Sequence, residues 1–149
     1  MIPQFEPASG NLPPGEHIAS WDEIADRFGH TGWRRELLAG LAIALNCLKA
    51  AGCKAVYLDG SFVTAKAQPG DFDACWDADG VIGALLDWEL CKPEGFKNGR
   101  AAQKRKYKGE FFPANVDANG LGMPYRQFFQ QDRNGNTKGI IVIILKDLP

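Results

Sequence analysis

Two short runs decide the fold of this chain: Lys54-Ala55-Val56-Tyr57-Leu58-Asp59-Gly60-Ser61 and Gly70-Asp71-Phe72-Asp73-Ala74-Cys75-Trp76. Each contains five apolar or alternating residues bounded by turn formers, so Lys54–Leu58 and Phe72–Trp76 read as strands. Residues two apart on a strand share a face, which sets Asp71 and Asp73 side by side. Phe72 and Ala74 then point into a core. Adjacent carboxylates raise each other's pKa unless a cation sits between them. A hard divalent ion resolves that conflict, and Mg²⁺ characteristically takes one or two carboxylates and fills its shell with water and phosphate oxygens. At the end of the first strand, Gly60 permits close backbone approach to a ligand. Ser61 adds a hydroxyl at the start of a segment expected to turn helical, where free amides attract phosphate.

Outward from this pair, helices and strands alternate. Ser20-Trp21-Asp22-Glu23 has the form of a capping box opening a short helix that stops at Gly29. Thr31 caps the next, in which Leu37, Leu38, Leu41, Leu45 and Leu48 form one apolar face and Gly52 marks the end. Val81, Ile82, Leu85 and Leu86 return at helical spacing. Lys97–Lys108 is basic and reads as helix or loop. Glu110–Val116 reads as a third strand, placed at an edge by Pro113. Pro124–Gln131 suggests a short helix, Asn134-Gly135-Asn136 a turn, and Gly139–Leu145 (GIIVIIL) the clearest strand. The fold class expected is α/β or α+β, one small mixed sheet flanked by helices. Residues 1–19 hold four of the nine prolines and are expected to form an irregular arm, with residues 20–149 as one domain.

Composition narrows the classes. The chain has 149 residues, 45% hydrophobic and 23% charged, with formal net charge -1, so no global field favours nucleic acid or an anionic membrane. No apolar run approaches the roughly 20 residues of a membrane span. The first residues carry no basic cluster or apolar segment of a secretory signal. Cys47, Cys53, Cys75 and Cys91 form no CxxC pair, and a reduced, cytoplasmic protein is the default expectation. The two histidines have no partner at ligand spacing, and the four tryptophans lie on or beside apolar faces; all six read as structural. Lys97, Arg100, Lys104, Arg105, Lys106 and Lys108 put six positive charges in twelve residues. They form either a solvated face or a contact for a polyanion.

The segment resembles the signature of the polymerase β nucleotidyltransferase superfamily: Gly-Ser, a gap, then Asp-apolar-Asp. It is similar over nearly its whole length to small nucleotidyltransferase-like proteins of the DUF6932 type, through LPPGEH, GSFVTAK with PGDFDACWD, and FFQQDRNGNTKGIIVI. This resemblance implies that Gly60 and Ser61 bind the triphosphate and that Asp71 and Asp73 are metal carboxylates. A third carboxylate on a following strand is implied, with Glu110 the first candidate and Asp117 the second. Lys66 is the best single candidate for a further phosphate contact. The implied activity is transfer of a nucleotidyl group from a nucleoside triphosphate such as ATP, with Mg²⁺ or Mn²⁺. The acceptor would be RNA, protein or a small molecule, and small members of the superfamily act as toxins or defence effectors. A metal-dependent nuclease and a catalytically silent, partner-regulated nucleotide-binding module are the rival expectations.

Overall fold

β2 (Ala55–Asp59) lies at the centre of a five-stranded sheet with the order β1-β5-β2-β3-β4. β3 (Phe72–Trp76) and β5 (Gly139–Ile144) flank it antiparallel on either side, while β4 (Gly109–Pro113) adds parallel to β3. The sheet is therefore mixed and the fold is α+β. The computed structural model describes all residues, 1–149.

The two faces of the sheet are unequal. Val56, Leu58, Phe72, Ala74, Phe111, Ile141 and Ile143 point toward α1 (Trp21–Phe28) and α2 (Gly32–Ala50) and join a core of 25 buried residues. Leu37, Leu38, Leu41, Leu45 and Leu48 are all buried there, as the helical spacing predicts. The capping box of Ser20 and Glu23 is formed, and Thr31 accepts from the Arg34 amide; each such cap contributes about 1 kcal/mol. On the opposite face Tyr57, Cys75, Ile140 and Val142 form a smaller cluster under Phe129 and the short α5 (Tyr125–Phe128). Alternation along β2, β3 and β4 puts Asp59, Asp73 and Glu110 on this thinly covered face.

Two expectations from the sequence are revised, and the basic run, expected as helix or loop, is resolved as helix. Within the arm of residues 1–19, Gly15–Ile18 forms β1, paired parallel to β5 with Gly15 opposite Gly139. Leu12 is buried, and its carbonyl accepts from the Gly139 amide, so long-range pairing overrides the local proline signals. The apolar residues from Val81 to Leu86 do not share a helix. A short 3-10 turn at Gly83–Leu85 precedes α3 (Trp88–Cys91), and Ile82 and Leu85 stay exposed. The basic run is α4 (Lys97–Tyr107), interrupted at its start by left-handed Asn98, Gly99 and Arg100.

Candidate metal centre

Asp73 and Glu110 are direct partners in the parallel β3–β4 pairing, and Asp71 stands one residue before β3. One oxygen from each of the three carboxylates lies within 4.8 Å of the others. The structure thus gathers Asp71, Asp73 and Glu110 into one group. Asp117 is elsewhere: its Oδ1 accepts from the Asn119 and Gly120 amides and closes a turn after β4.

Crowding has an electrostatic cost. Burial, then the charges of Asp71, Glu110 and Asp59, push Asp73 up to about 7. Asp71 is also raised, by burial and by Glu110. Three half-buried oxygen donors that repel one another are the donor set that a hard divalent cation stabilises, so these residues fit Mg²⁺ or Mn²⁺. Lys104, on α4, supplies a partial counter-charge through its ion pair with Glu110 at 3.0 Å.

The Gly-Ser turn abuts the cluster. Gly60 has φ +87°, and a Cβ at this position would lie 3.1 Å from both the amide nitrogen and Oδ2 of Asp73. Gly60 is therefore fitted closely to Asp73, and Ser61 follows in a single 3-10 turn, Ser61–Val63. Lys66 lies further along the same loop. Its backbone carbonyl is held by Arg34, while its side chain is exposed and makes no ion pair.

Four residues that build the site carry no local sequence signal. Arg34 is fully buried, and its guanidinium donates to the carbonyls of Phe28, Phe62, Thr64 and Lys66. It clamps the whole Gly-Ser loop from below. Asp59, 5% exposed, faces Asp73 across β2–β3 and pairs with Lys138 at 3.0 Å. Burial pushes the Asp59 carboxyl up, and Lys138 offsets part of that shift. Gln103 is buried on α4; its Oε1 accepts from the Phe111 amide and its Nε2 donates to the Glu89 carbonyl, which fixes β4 beside Glu110. Trp33 reads as structural and is so, donating from Nε1 to the Pro69 carbonyl just before Asp71.

Two of the six charges of the basic run, Lys104 and Lys106, are neutralised by ion pairs. Lys106 pairs with Asp87 and Glu89, and Arg100 lies over the Phe112 ring at 4.1 Å. Arg105 and Lys108 form no ion pair.

Residues 3–144 match a family described as a family of unknown function, DUF6932. The chain belongs to DUF6932. No curated protein and no solved structure matches it. The DUF6932 match spans every strand of the sheet, including β1, and all three carboxylates. No helix of this DUF6932 chain is long and apolar enough to cross a membrane.

Proposed function

We propose that the protein is a nucleotidyltransferase, moving a nucleotidyl group from a nucleoside triphosphate to a hydroxyl or phosphate acceptor with Mg²⁺ or Mn²⁺. One observation carries this reading: Asp71, Asp73 and Glu110 converge within 4.8 Å beside a glycine-serine turn whose Gly60 touches Asp73. The turn favours transfer over hydrolysis, because a nuclease has no need to grip a triphosphate.

Asp71, Asp73 and Glu110 would hold the ion. When bound, it neutralises charge on the phosphate oxygens and on the departing pyrophosphate. The chain's own residues do the rest. Gly60 admits phosphate close to the backbone, and Ser61 offers its hydroxyl. Arg34 keeps that turn rigid against Asp73. Glu110 stands on the edge strand β4, the side this reading assigns to the acceptor. There it accepts the acceptor hydroxyl's proton as the new P–O bond forms and the bond to pyrophosphate breaks.

Incubation with each α-labelled triphosphate, Mg²⁺ and total cellular RNA or protein tests the reading. Label should pass to an acceptor with the wild type and not with Asp73→Asn. Release of labelled mononucleotide from RNA, with no transfer from triphosphate, would make the protein a nuclease instead.

A further inference from the structure

Beside the carboxylates, a cleft of about 360 Å³ opens over the ends of β2 and β5. Asp59, Asp73 and Lys138 form its floor, Phe128 and Gln131 its outer wall, and Asn11 of the N-terminal segment its far side. The volume falls in the range of small-molecule sites, about 300–1,000 Å³. Asp71 and Glu110 do not line it. The cleft is thus displaced from the acceptor edge at β4, toward the strand that ends in Gly60-Ser61.

Its chemistry is specific in kind. Lys138 is fixed in the floor by its pair with the buried Asp59 carboxylate, and Arg133, which also lines the cleft, forms no ion pair and leaves a free cation there. Phe128 leaves 43% of its surface exposed, although its ring meets Tyr125 edge-on at 6.3 Å. The carboxamides of Asn11 and Gln131 have no hydrogen-bond partner within the chain. A ligand that suits this wall has an anionic end for Arg133 and Lys138, a flat ring for Phe128, and hydrogen-bonding edges for the two amides. Those are the parts of a nucleotide.

We propose that this cleft binds the nucleoside of the triphosphate: the base lies against Phe128, its edge meets Gln131 and Asn11, and the phosphates cross Lys138 toward Gly60-Ser61. This rests on the nucleotidyltransferase reading and assigns the nucleotide to the β2–β5 side and the acceptor to the β4 side. Phe128, Gln131 and Asn11 become the residues that select the base. Stacking on an aromatic ring contributes about 1–3 kcal/mol per base and tolerates any base, so discrimination falls to the amides.

The test measures binding rather than turnover. Calorimetry is run with Mg²⁺ and the α,β-methylene analogues of ATP, GTP, CTP and UTP, and separately with Mg²⁺ and inorganic tripolyphosphate. Phe128→Ala should raise the Kd of the analogues roughly tenfold and leave tripolyphosphate unchanged. Gln131→Ala should reduce the spread of affinity among the four bases. Lys138→Met should weaken both kinds of ligand, and Lys138→Arg should restore much of the loss. Analogue binding that is unaffected by Phe128→Ala and Gln131→Ala overturns the cleft assignment while leaving the triphosphate site standing. Absence of binding by every analogue overturns both.

Discussion

Asp73 and Glu110 sit directly opposite one another across the parallel β3–β4 pair, two like charges in register with no hydrogen bond between them. Glu110 takes Lys104 as its partner, and Asp73 has only the more distant influence of Lys138. Repulsion thus stands where a sheet ordinarily places complementary charges.

Removing that repulsion should stabilise the metal-free protein. Asp73→Asn is expected to raise the melting temperature in EDTA by about 3 °C, roughly 1 kcal/mol for a domain of this size. The same variant should lose the stabilisation that the wild type gains from millimolar Mg²⁺ or Mn²⁺. Differential scanning fluorimetry with and without metal checks both effects. A large drop in melting temperature without metal would give Asp73 a structural role.

The stability of the metal-free protein should fall as pH rises from about 4 to about 7. Asp73 binds its proton more tightly folded than unfolded, so its contribution is complete below the unfolded value and is lost as pH passes about 7. Asp71 and Asp59 are shifted in the same direction. Glu16 and Asp87, lowered by Arg126 and by Tyr107 with Lys106, act oppositely only at lower pH. Urea melts at successive pH values in EDTA measure the slope, and Asp73→Asn should flatten it.

Arg34 should be indispensable to the Gly-Ser turn. Arg34→Met strips four carbonyls of a charged donor and is expected to cost at least 3 kcal/mol. Arg34→Lys keeps the charge but cannot reach all four acceptors. It should remain folded and bind triphosphate more weakly, which separates loop positioning from global stability. Circular dichroism melts alongside calorimetric binding of a triphosphate analogue read the two effects apart.

At the C-terminal end of α4, any polyanion contact falls to Arg105 and the capping Lys108, since Lys104 and Lys106 are already paired. With RNA as the ligand, Arg105→Ala with Lys108→Gly should flatten the salt dependence of binding by about two units. Glycine is chosen at 108 because Lys108 has φ +69°. Lys106→Ala should leave the slope unchanged and lower stability slightly. Equal slopes for wild type and double variant would assign the acceptor to protein or small-molecule chemistry.

Residues whose role depends on neighbours in sequence were readable, and those whose role depends on distant partners were not. Period-two alternation put Asp71 and Asp73 together, and the chain order of strands brought Glu110 to them. The caps at Ser20 and Thr31 were equally local. By contrast, nothing near Asp59 or Lys138 in sequence signals their pairing, which exists only because β2 and β5 are adjacent. Arg34 sat among polar residues at the start of a leucine-rich helix, and nothing nearby announced that four carbonyls from two loops would converge on it. The apolar spacing from Val81 to Leu86 misled for a related reason: the Ile82 amide is taken by the distant Ala51 carbonyl, and Ile82 and Leu85 stay exposed instead of packing on the core.

The pairing of β1 with β5 joins the two ends of the matched sequence, Gly15 with Gly139. On the ribosome, Asp71, Asp73 and Glu110 emerge well before β5, whose pairing with β1 and β2 completes the sheet. A nascent chain therefore carries three mutually repelling carboxylates before the sheet that fixes them is closed. Lys138, the cation that pairs with the neighbouring Asp59, is among the last to arrive.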